Sequence, residues 1–267
     1  MKAFLSAFWA ETLKARRSRV SLMTFAGILI LPIVGGLFMF ILKDPEQARL
    51  MGLIGAKAQL LTGGDADWPA YFVFLSLGTS AVGTILFAFV TAWVFGREFS
   101  DRTVKELLAL PTPRWVIVSA KFVLTALWIM ALALFIFVVG LGIGRVVDLP
   151  GWSPALAWTS FWSLMATTVM TFMLMPLVAL FASAGRGYLP PLGWAFLTLA
   201  SAQIAGMMGW GDWVPWAVPG LFSMMFSVVY GQRAGPVGIH SYILVLLTFI
   251  IGLVATFAWW QSADQAR

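Results

Sequence analysis

The stretch FVLTALWIMALALFIFVVGLGIG, residues 122–144, contains no charged side chain over 23 consecutive positions. A helix needs about 20 apolar residues to cross a hydrocarbon core roughly 30 Å thick. Within lipid, an isolated segment of this kind is helical because its backbone groups find hydrogen-bond partners only within the segment. The stretch therefore predicts a membrane-spanning helix. Other stretches of the chain can be compared with it in length and lack of charge.

Five other stretches also lack Asp, Glu, Lys and Arg: 20–42, 68–96, 149–185, 187–211 and 234–263. The apolar centres of all six stretches predict spans near 20–42, 71–95, 117–143, 157–181, 188–208 and 240–260. We expect kinks rather than breaks at the prolines in or beside them, because neighbouring helices can satisfy the freed carbonyls. These prolines are Pro32, Pro176, Pro190 and Pro191. The predicted fold class is an all-α membrane protein with six transmembrane helices, and residues 1–267 form a single transmembrane domain.

The composition agrees with this fold class. Of the 267 residues, 61% are hydrophobic and only 10% are charged, and the mean hydropathy is +0.91. A soluble domain carries about 25% charged residues, so this chain lacks the polar surface that water on every side would require. The sequence has no cysteine, which excludes disulfides and thiolate metal sites. The net charge is +6. The basic residues are distributed as expected for a membrane protein, so this charge does not indicate a nucleic-acid partner.

Basic residues predict the orientation, because cytoplasmic loops carry the excess of Lys and Arg. With the N-terminus inside, twelve basic residues are cytoplasmic and five are outside. The cytoplasmic set is Lys2, Lys14, Arg16, Arg17, Arg19, Arg97, Arg102, Lys105, Arg114, Lys121, Arg186 and Arg267. The outer set is Lys43, Arg49, Lys57, Arg145 and Arg233. Both termini are therefore predicted to be cytoplasmic. The first apolar run is too long for a cleaved signal peptide, and we interpret it as a retained anchor.

Residues 213–232, WVPWAVPGLFSMMFSVVYGQ, are also uncharged and could form a seventh span that would place the C-terminus outside. Pro215 and Pro219 interrupt the start of this segment and leave only Gly220 to Tyr230. At 1.5 Å per residue these positions cover roughly 16 Å, about half of the hydrocarbon core. Its tryptophans suit a membrane interface. The pattern favours a short re-entrant or interfacial segment on the outer side, between spans five and six.

Two further amphipathic segments flank the first span. Residues 1–19 place Phe4, Leu5, Phe8, Trp9 and Leu13 on one helical face, as in a helix that lies in the cytoplasmic interface. The alternative is an ordinary basic flank of the first span. On the outer side, residues 44–64 begin with a cap-like Asp-Pro-Glu-Gln sequence and end at two glycines, which predicts a short helix on the surface.

The cytoplasmic loop between spans two and three, residues 96–114, reads GREFSDRTVKELLALPTPR. Ser100 can cap a helix that Pro111 ends, and opposite charges four residues apart occur three times, beginning with Glu98 and Arg102. The pattern predicts an amphipathic helix that is held at both ends by spans and can transmit movement from a soluble partner. The alternative is a solvated helix without a partner. The candidate partner-binding residues are Glu98, Phe99, Asp101, Arg102, Thr103, Val104, Lys105, Glu106, Leu107 and Leu108.

This loop resembles the corresponding loop of type-2 ABC transporter permeases, in particular the bacitracin-export and lantibiotic-immunity permeases. The matching residues are Glu98, Thr103, Lys105, Leu107, Leu108, Pro111 and Arg114, followed by Lys121 at the start of a span. The Pro-Trp-rich segment from Trp213 to Pro219 also resembles their outer segment between the last two spans. The resemblance extends over the whole chain in length, span count and orientation, but its motif covers only about twenty residues.

The resemblance implies a six-span permease subunit, and an exporter, that dimerises and binds a separate nucleotide-binding subunit at a coupling helix between spans two and three. The sequence contains no Gly-x-x-x-x-Gly-Lys-Ser/Thr phosphate loop. We therefore expect no ATPase activity in this chain itself, and we expect ATP and Mg²⁺ in the partner subunit. The other expected partners are a second copy of the permease, which would form a homodimer, and the lipid bilayer. Nucleic acid is not an expected partner.

Other classes of function fit the sequence less well. A secondary carrier needs ionisable groups at membrane depth, and none of the six predicted spans has one in its middle. An intramembrane hydrolase would have to pair His240 with Ser223, Ser227 or Ser241 as nucleophile. A transport path for a soft metal ion would have to be lined by methionines, which more often pack against other helices. The remaining alternative is a membrane anchor or sensor subunit that binds a partner without moving a solute. The transported substrate stays open.

Overall fold

The computed structural model describes residues 2–44, 66–109, 111–225 and 237–262. Throughout these ranges the regular structure is helical and no strand occurs, which confirms the all-α prediction. The helices are α1 Lys2–Arg17, α2 Arg19–Lys43, α3 Trp68–Gly78, α4 Thr84–Ser100, α5 Val104–Leu108, α6 Arg114–Val146, α7 Pro154–Met173, α8 Met175–Ala184, α9 Leu189–Met207, α10 Val218–Met224 and α11 Ile239–Ser262.

Five helical segments in the described part of the chain are long and apolar enough to cross a membrane. They are Arg19–Lys43, Trp68–Ser100, Arg114–Val146, Pro154–Ala184 and Ile239–Ser262, and each contains one of the predicted spans. The remaining predicted span, 188–208, coincides with α9, which has 19 residues. This helix carries Thr198, Ser201 and Gln203.

Two of the five segments contain irregularities. Between α3 and α4 the chain forms a π-helical turn, Thr79–Gly83, which the sequence analysis did not predict. Between α7 and α8, Leu174 interrupts the helix just before Pro176, so the expected kink is a break of one residue. In contrast, α2 continues through Pro32, and the carbonyl of this proline accepts a hydrogen bond of 3.0 Å from the Tyr71 hydroxyl.

The core forms around α6, which packs against α1, α2 and α7 and buries Ile129, Leu132 and Ile136 completely. Glycines in α2 allow close packing within the chain. A Cβ atom at Gly35 would lie 2.6 Å from Phe74, and one at Gly36 would collide with Ile143. Small residues permit such close approach of helices. The helices that approach α2 at Gly35 and Gly36 belong to the same chain.

The flanking segments agree in part with their predictions. Helix α1 is present, and Leu5 and Trp9 on its predicted apolar face are exposed, as contact with lipid would require. In the outer segment a short turn, Gly211–Trp213, precedes α10, which packs against α3 and α7. The second half of this segment and most of the predicted outer helix at 44–64 lie outside the described residues.

Candidate functional site

The loop that joins α4 to α6 is not a single helix. Helix α4 continues through the expected cap residue and ends at Ser100, and Arg102 then adopts a left-handed conformation with φ of 59°. The amide of Arg102 donates to the Phe99 carbonyl (3.3 Å), and the amide of Thr103 donates to the Glu98 carbonyl (2.9 Å). This pair of bonds closes the end of a helix in the Schellman manner. The predicted helix is therefore divided, and only α5, five residues long, lies across the loop.

The candidate residues of this loop fall into two groups that differ in exposure. Phe99, Leu107 and Leu108 are partly buried against the core, whereas the side chains of four charged residues are exposed. These four, which we call the charged rim, are Asp101, Arg102, Lys105 and Glu106. Val104 and Thr103 are intermediate in exposure. The loop thus presents charge at its surface and holds most of its apolar side chains against the protein, as its amphipathic pattern predicts.

Glu98 belongs to neither group, because it lies in the interior. It is 2% exposed, and Lys121 on α6 is 0% exposed. The Lys121 ammonium donates to both Glu98 carboxylate oxygens at 2.9 Å and to the Val94 carbonyl at 2.8 Å. Sequence spacing paired Glu98 with Arg102, but in the structure it pairs with Lys121. Lys121 was expected near a cytoplasmic end, and its charge is instead enclosed by protein.

A third helix joins this buried cluster. Glu11 on α1 is 5% exposed and accepts a hydrogen bond of 3.1 Å from Lys121. Lys14, one turn further along α1, lies 2.7 Å from Glu11 and 3.2 Å from Glu98. Each buried carboxylate thus contacts two ammonium groups, which is the condition under which burial of charge is tolerated. We call Glu11, Lys14, Glu98 and Lys121 the ionic joint, because they tie α1, α4 and α6 together beside the loop.

The two ends of the loop are also fixed. The Phe99 ring packs edge-on against Trp259 and Trp260 of α11, with centroid separations of 5.8 and 5.9 Å. The Arg114 guanidinium, after the loop, donates to the carbonyls of Trp260 (3.2 Å) and Gln261 (3.3 Å). These carbonyls lie at the C-terminal end of α11, where a cation is favourable. Movement of the loop would therefore also act on α11.

An open groove of about 590 Å³ lies between α1 and the loop. One side of the groove is formed by Lys14, Arg17 and Ser18, and the floor includes Arg97, whose guanidinium stacks 4.8 Å from the Trp93 ring. The other side carries Asp101 and Glu106 from the charged rim. The groove therefore has a basic wall and an acidic wall, both of which a soluble partner could reach.

Sequence analysis missed two residues of this region. Glu11 is the only acidic residue of α1, and this solitary carboxylate among basic residues is the signal that could have identified it. Trp260 is completely buried, and its indole donates to the Ser183 hydroxyl at 3.0 Å. No local pattern distinguishes it from the other tryptophans.

Among the described residues, the groups considered for metal binding or hydrolysis do not assemble into a site. In the described ranges, no three His, Cys, Asp or Glu side chains come together as metal ligands. The His240 ring packs against Trp213 at 4.6 Å, while the Ser241 and Ser223 hydroxyls donate to the carbonyls of Asp212 and Gly220. Ser227, the third candidate nucleophile, lies outside the described residues.

Two comparisons with known proteins agree on the family of this chain. Residues 7–201 match the model of a family described as ABC-2 family transporter protein. The chain is also 27% identical over 201 residues to the bacitracin transport permease protein BCRB of Bacillus licheniformis, an alignment that covers 74% of this chain and 90% of that protein. The chain therefore belongs to the ABC-2 family of transporter proteins, and it is a multi-pass cell-membrane permease of an ABC transporter that works with an ATPase subunit.

Proposed function

We propose that this permease is an exporter whose ATPase subunit docks on the charged rim and in the adjoining groove. The observation that carries the proposal is the arrangement of the 96–114 loop. Its exposed charges, Asp101, Arg102, Lys105 and Glu106, sit on a segment that is fixed directly to the ionic joint and to α11. A push on such a segment reaches α1, α4, α6 and α11 together. ATP and Mg²⁺ would be bound by the ATPase, and hydrolysis would occur there.

The proposal includes six crossings, and two contacts support the crossing by α9. The Ser241 hydroxyl, near the start of α11, donates to the Asp212 carbonyl at 2.8 Å, while Trp260 near the end of α11 bonds to Ser183. Because α11 is long and apolar enough to cross the membrane, Asp212 and Ser183 belong to opposite sides. Helix α9 begins shortly after Ser183 and ends shortly before Asp212, and its 19 residues extend roughly 28 Å.

With six crossings and the basic asymmetry of the sequence, both termini are cytoplasmic and the charged rim faces the ATPase. Reporter fusions after residue 267 should therefore behave as cytoplasmic. A reporter that is active only outside the membrane would contradict this topology.

We propose further that two copies of the chain form the transport path, since the described helices pack closely around α6 and leave little room for a conduit among them. BCRB is a bacitracin transport permease, and peptides, lipids and other hydrophobic solutes are the candidate substrates here. Native mass spectrometry of the complex should show two permease chains. A single permease chain with bound ATPase would contradict the homodimer, and a second, different permease would replace it with a heterodimer.

The docking proposal is tested by reversing charge on the rim. The double variant Arg102→Glu/Lys105→Glu should insert normally and lose its ATPase on co-purification, since charges at an interface rim set partner choice and like charges brought together repel. We expect the dissociation constant to rise about tenfold or more. The matched control is Arg16→Glu/Arg19→Glu, which makes the same change of charge on exposed residues that belong neither to the charged rim nor to the lining of the groove, and it should retain the ATPase.

Equal retention in both variants would show that the rim is not the docking surface. An anchor or sensor subunit would also bind the ATPase, so co-purification does not exclude that alternative. Stimulation of ATP hydrolysis by a translocated solute separates the two, because only a transporter couples hydrolysis to movement of the solute.

A further inference from the structure

A cavity of about 350 Å³ lies among α3, the turn that follows α3, α9 and α10. This volume is within the range of roughly 300–1,000 Å³ that small-molecule sites occupy. Among the described residues, the lining is apolar apart from the Ser80 hydroxyl and the Gln203 amide, and it contains no charged side chain. The apolar part of the lining is Leu77, Ala81, Leu199, Ala202, Gly206, Met207, Trp216, Ala217, Gly220, Leu221 and Met224.

The backbone is irregular where it borders this cavity. Ser80 lies in the π-helical turn Thr79–Gly83, and its hydroxyl donates to the Leu77 carbonyl at 2.7 Å. A Cβ atom at Gly220 would come within 3.2 Å of the Ser80 hydroxyl oxygen, so glycine allows α10 to approach the turn closely. Single π-turns inside longer helices occur frequently at functional sites.

The polar side chain on α9 has no hydrogen-bond partner among the described residues. The Gln203 side chain lines the cavity and is exposed. If α9 crosses the membrane, as proposed above, this amide lies in an apolar environment, where it is costly unless it is hydrogen-bonded. A ligand with a hydrogen-bonding group next to an alkyl portion would satisfy the amide and cover the apolar wall at the same time.

We infer that this cavity binds an uncharged amphiphile, with its alkyl portion against Leu77, Leu199 and Leu221 and its hydrogen-bonding head toward Gln203. The absence of charge in the described lining keeps an ionic headgroup out of the cavity, since burial of an unpaired charge is strongly unfavourable. The identification of this amphiphile with the class of exported solute rests on the proposed transport function. Binding itself requires neither ATP nor the ATPase.

The test is photolabelling of the full-length permease, bound to its ATPase in lipid nanodiscs, with the diazirine alcohol 3-azioctanol. Labelling of the peptides that contain Gln203 and Leu221 should saturate with concentration, and octanol should compete. The variant Gly206→Leu places a side chain in the cavity, where a Cβ atom meets no other atom within 4 Å. We expect saturable labelling to fall about tenfold or more in this variant.

Gly193→Leu provides the matched control. Gly193 is on the same helix, has equally open space around a Cβ atom, and does not line the cavity. Its saturable labelling should equal that of the unaltered chain. Labelling that rises linearly without saturation, or that is equal in the two leucine variants, would overturn the inference and identify ordinary exposure to lipid. Retention of the ATPase in the same preparations is scored separately, so failure of this site is distinguishable from failure of the docking proposal.

Discussion

The ionic joint and the cavity beside α10 have opposite chemistry. In the ionic joint, two carboxylates and two ammonium groups come together in and beside the core, and one of them, Lys121, is fully buried. At the cavity, the described lining carries no charge, and the Gln203 amide has no hydrogen-bond partner among the described residues. A buried ionic cluster is costly to open because each charge loses its counter-charge, whereas an apolar cavity can be filled or emptied with little cost to the fold. The comparison indicates a rigid connection beside the 96–114 loop and an adaptable site beside α10.

The largest effect should come from removing the centre of the ionic joint. Lys121→Met leaves Glu11 and Glu98 with Lys14 as their nearest remaining cation, and loss of one partner from a buried ion pair costs about 3–5 kcal/mol. We expect a marked drop in the thermal unfolding midpoint of the purified protein. Lys14→Met, whose side chain is already 32% exposed, should lower it much less. Equal drops in the unfolding midpoint would mean that burial of a charge in the ionic joint does not determine how much it contributes to stability.

Close helix packing should have the next largest effect. A Cβ atom at Gly252 would lie 2.8 Å from the backbone nitrogen of Leu177, so Gly252→Ala forces α11 away from α8. We expect a loss of about 1–3 kcal/mol, as for other overpacked cores, measured by unfolding in detergent. Gly142→Ala on α6 meets no atom within 4 Å and should leave stability unchanged or slightly raised. The same loss in both variants would contradict the packing argument.

The smallest effect should come from the exposed ion pair at the outer end. Lys43 lies 3.2 Å from the Asp148 carboxylate, but their side chains are 38% and 95% exposed. Such pairs contribute about 0.2–1 kcal/mol, so Lys43→Ala should shift the unfolding midpoint only slightly. A loss of stability comparable to that of Lys121→Met would contradict the argument that the exposed ion pair contributes less than the buried one.

Sequence reasoning predicted the elements that depend on local pattern. Five of the six predicted spans coincide with membrane-length helices, because long uncharged runs have few alternatives in lipid. Local spacing also identified the amphipathic loop and most of its exposed charges. It misplaced Glu98, because a partner four residues away, Arg102, was visible in the sequence while Lys121, on another helix, was not.

The remaining features depend on tertiary contacts. The left-handed turn at Arg102 divides a segment whose charge spacing suits one helix, and nothing in the residue type signals this turn. Gly35 and Gly36 pack against side chains of α3 and α6, which a pattern of small residues cannot distinguish from packing between two chains. The cavity beside α10 combines residues from three separate helices with a π-turn, and it therefore has no contiguous motif.

The central claim is that the ionic joint passes movement of the 96–114 loop to the helices that it ties together, α1, α4 and α6. Hydrogen–deuterium exchange of α1 in the intact complex, with and without a non-hydrolysable ATP analogue, tests it most directly. The unaltered complex should show a nucleotide-dependent change in exchange in α1. Glu98→Gln/Lys121→Gln, which removes one charge of each sign and leaves the charged rim untouched, should retain the ATPase and lose that change. An unchanged nucleotide response in this double variant would contradict the account.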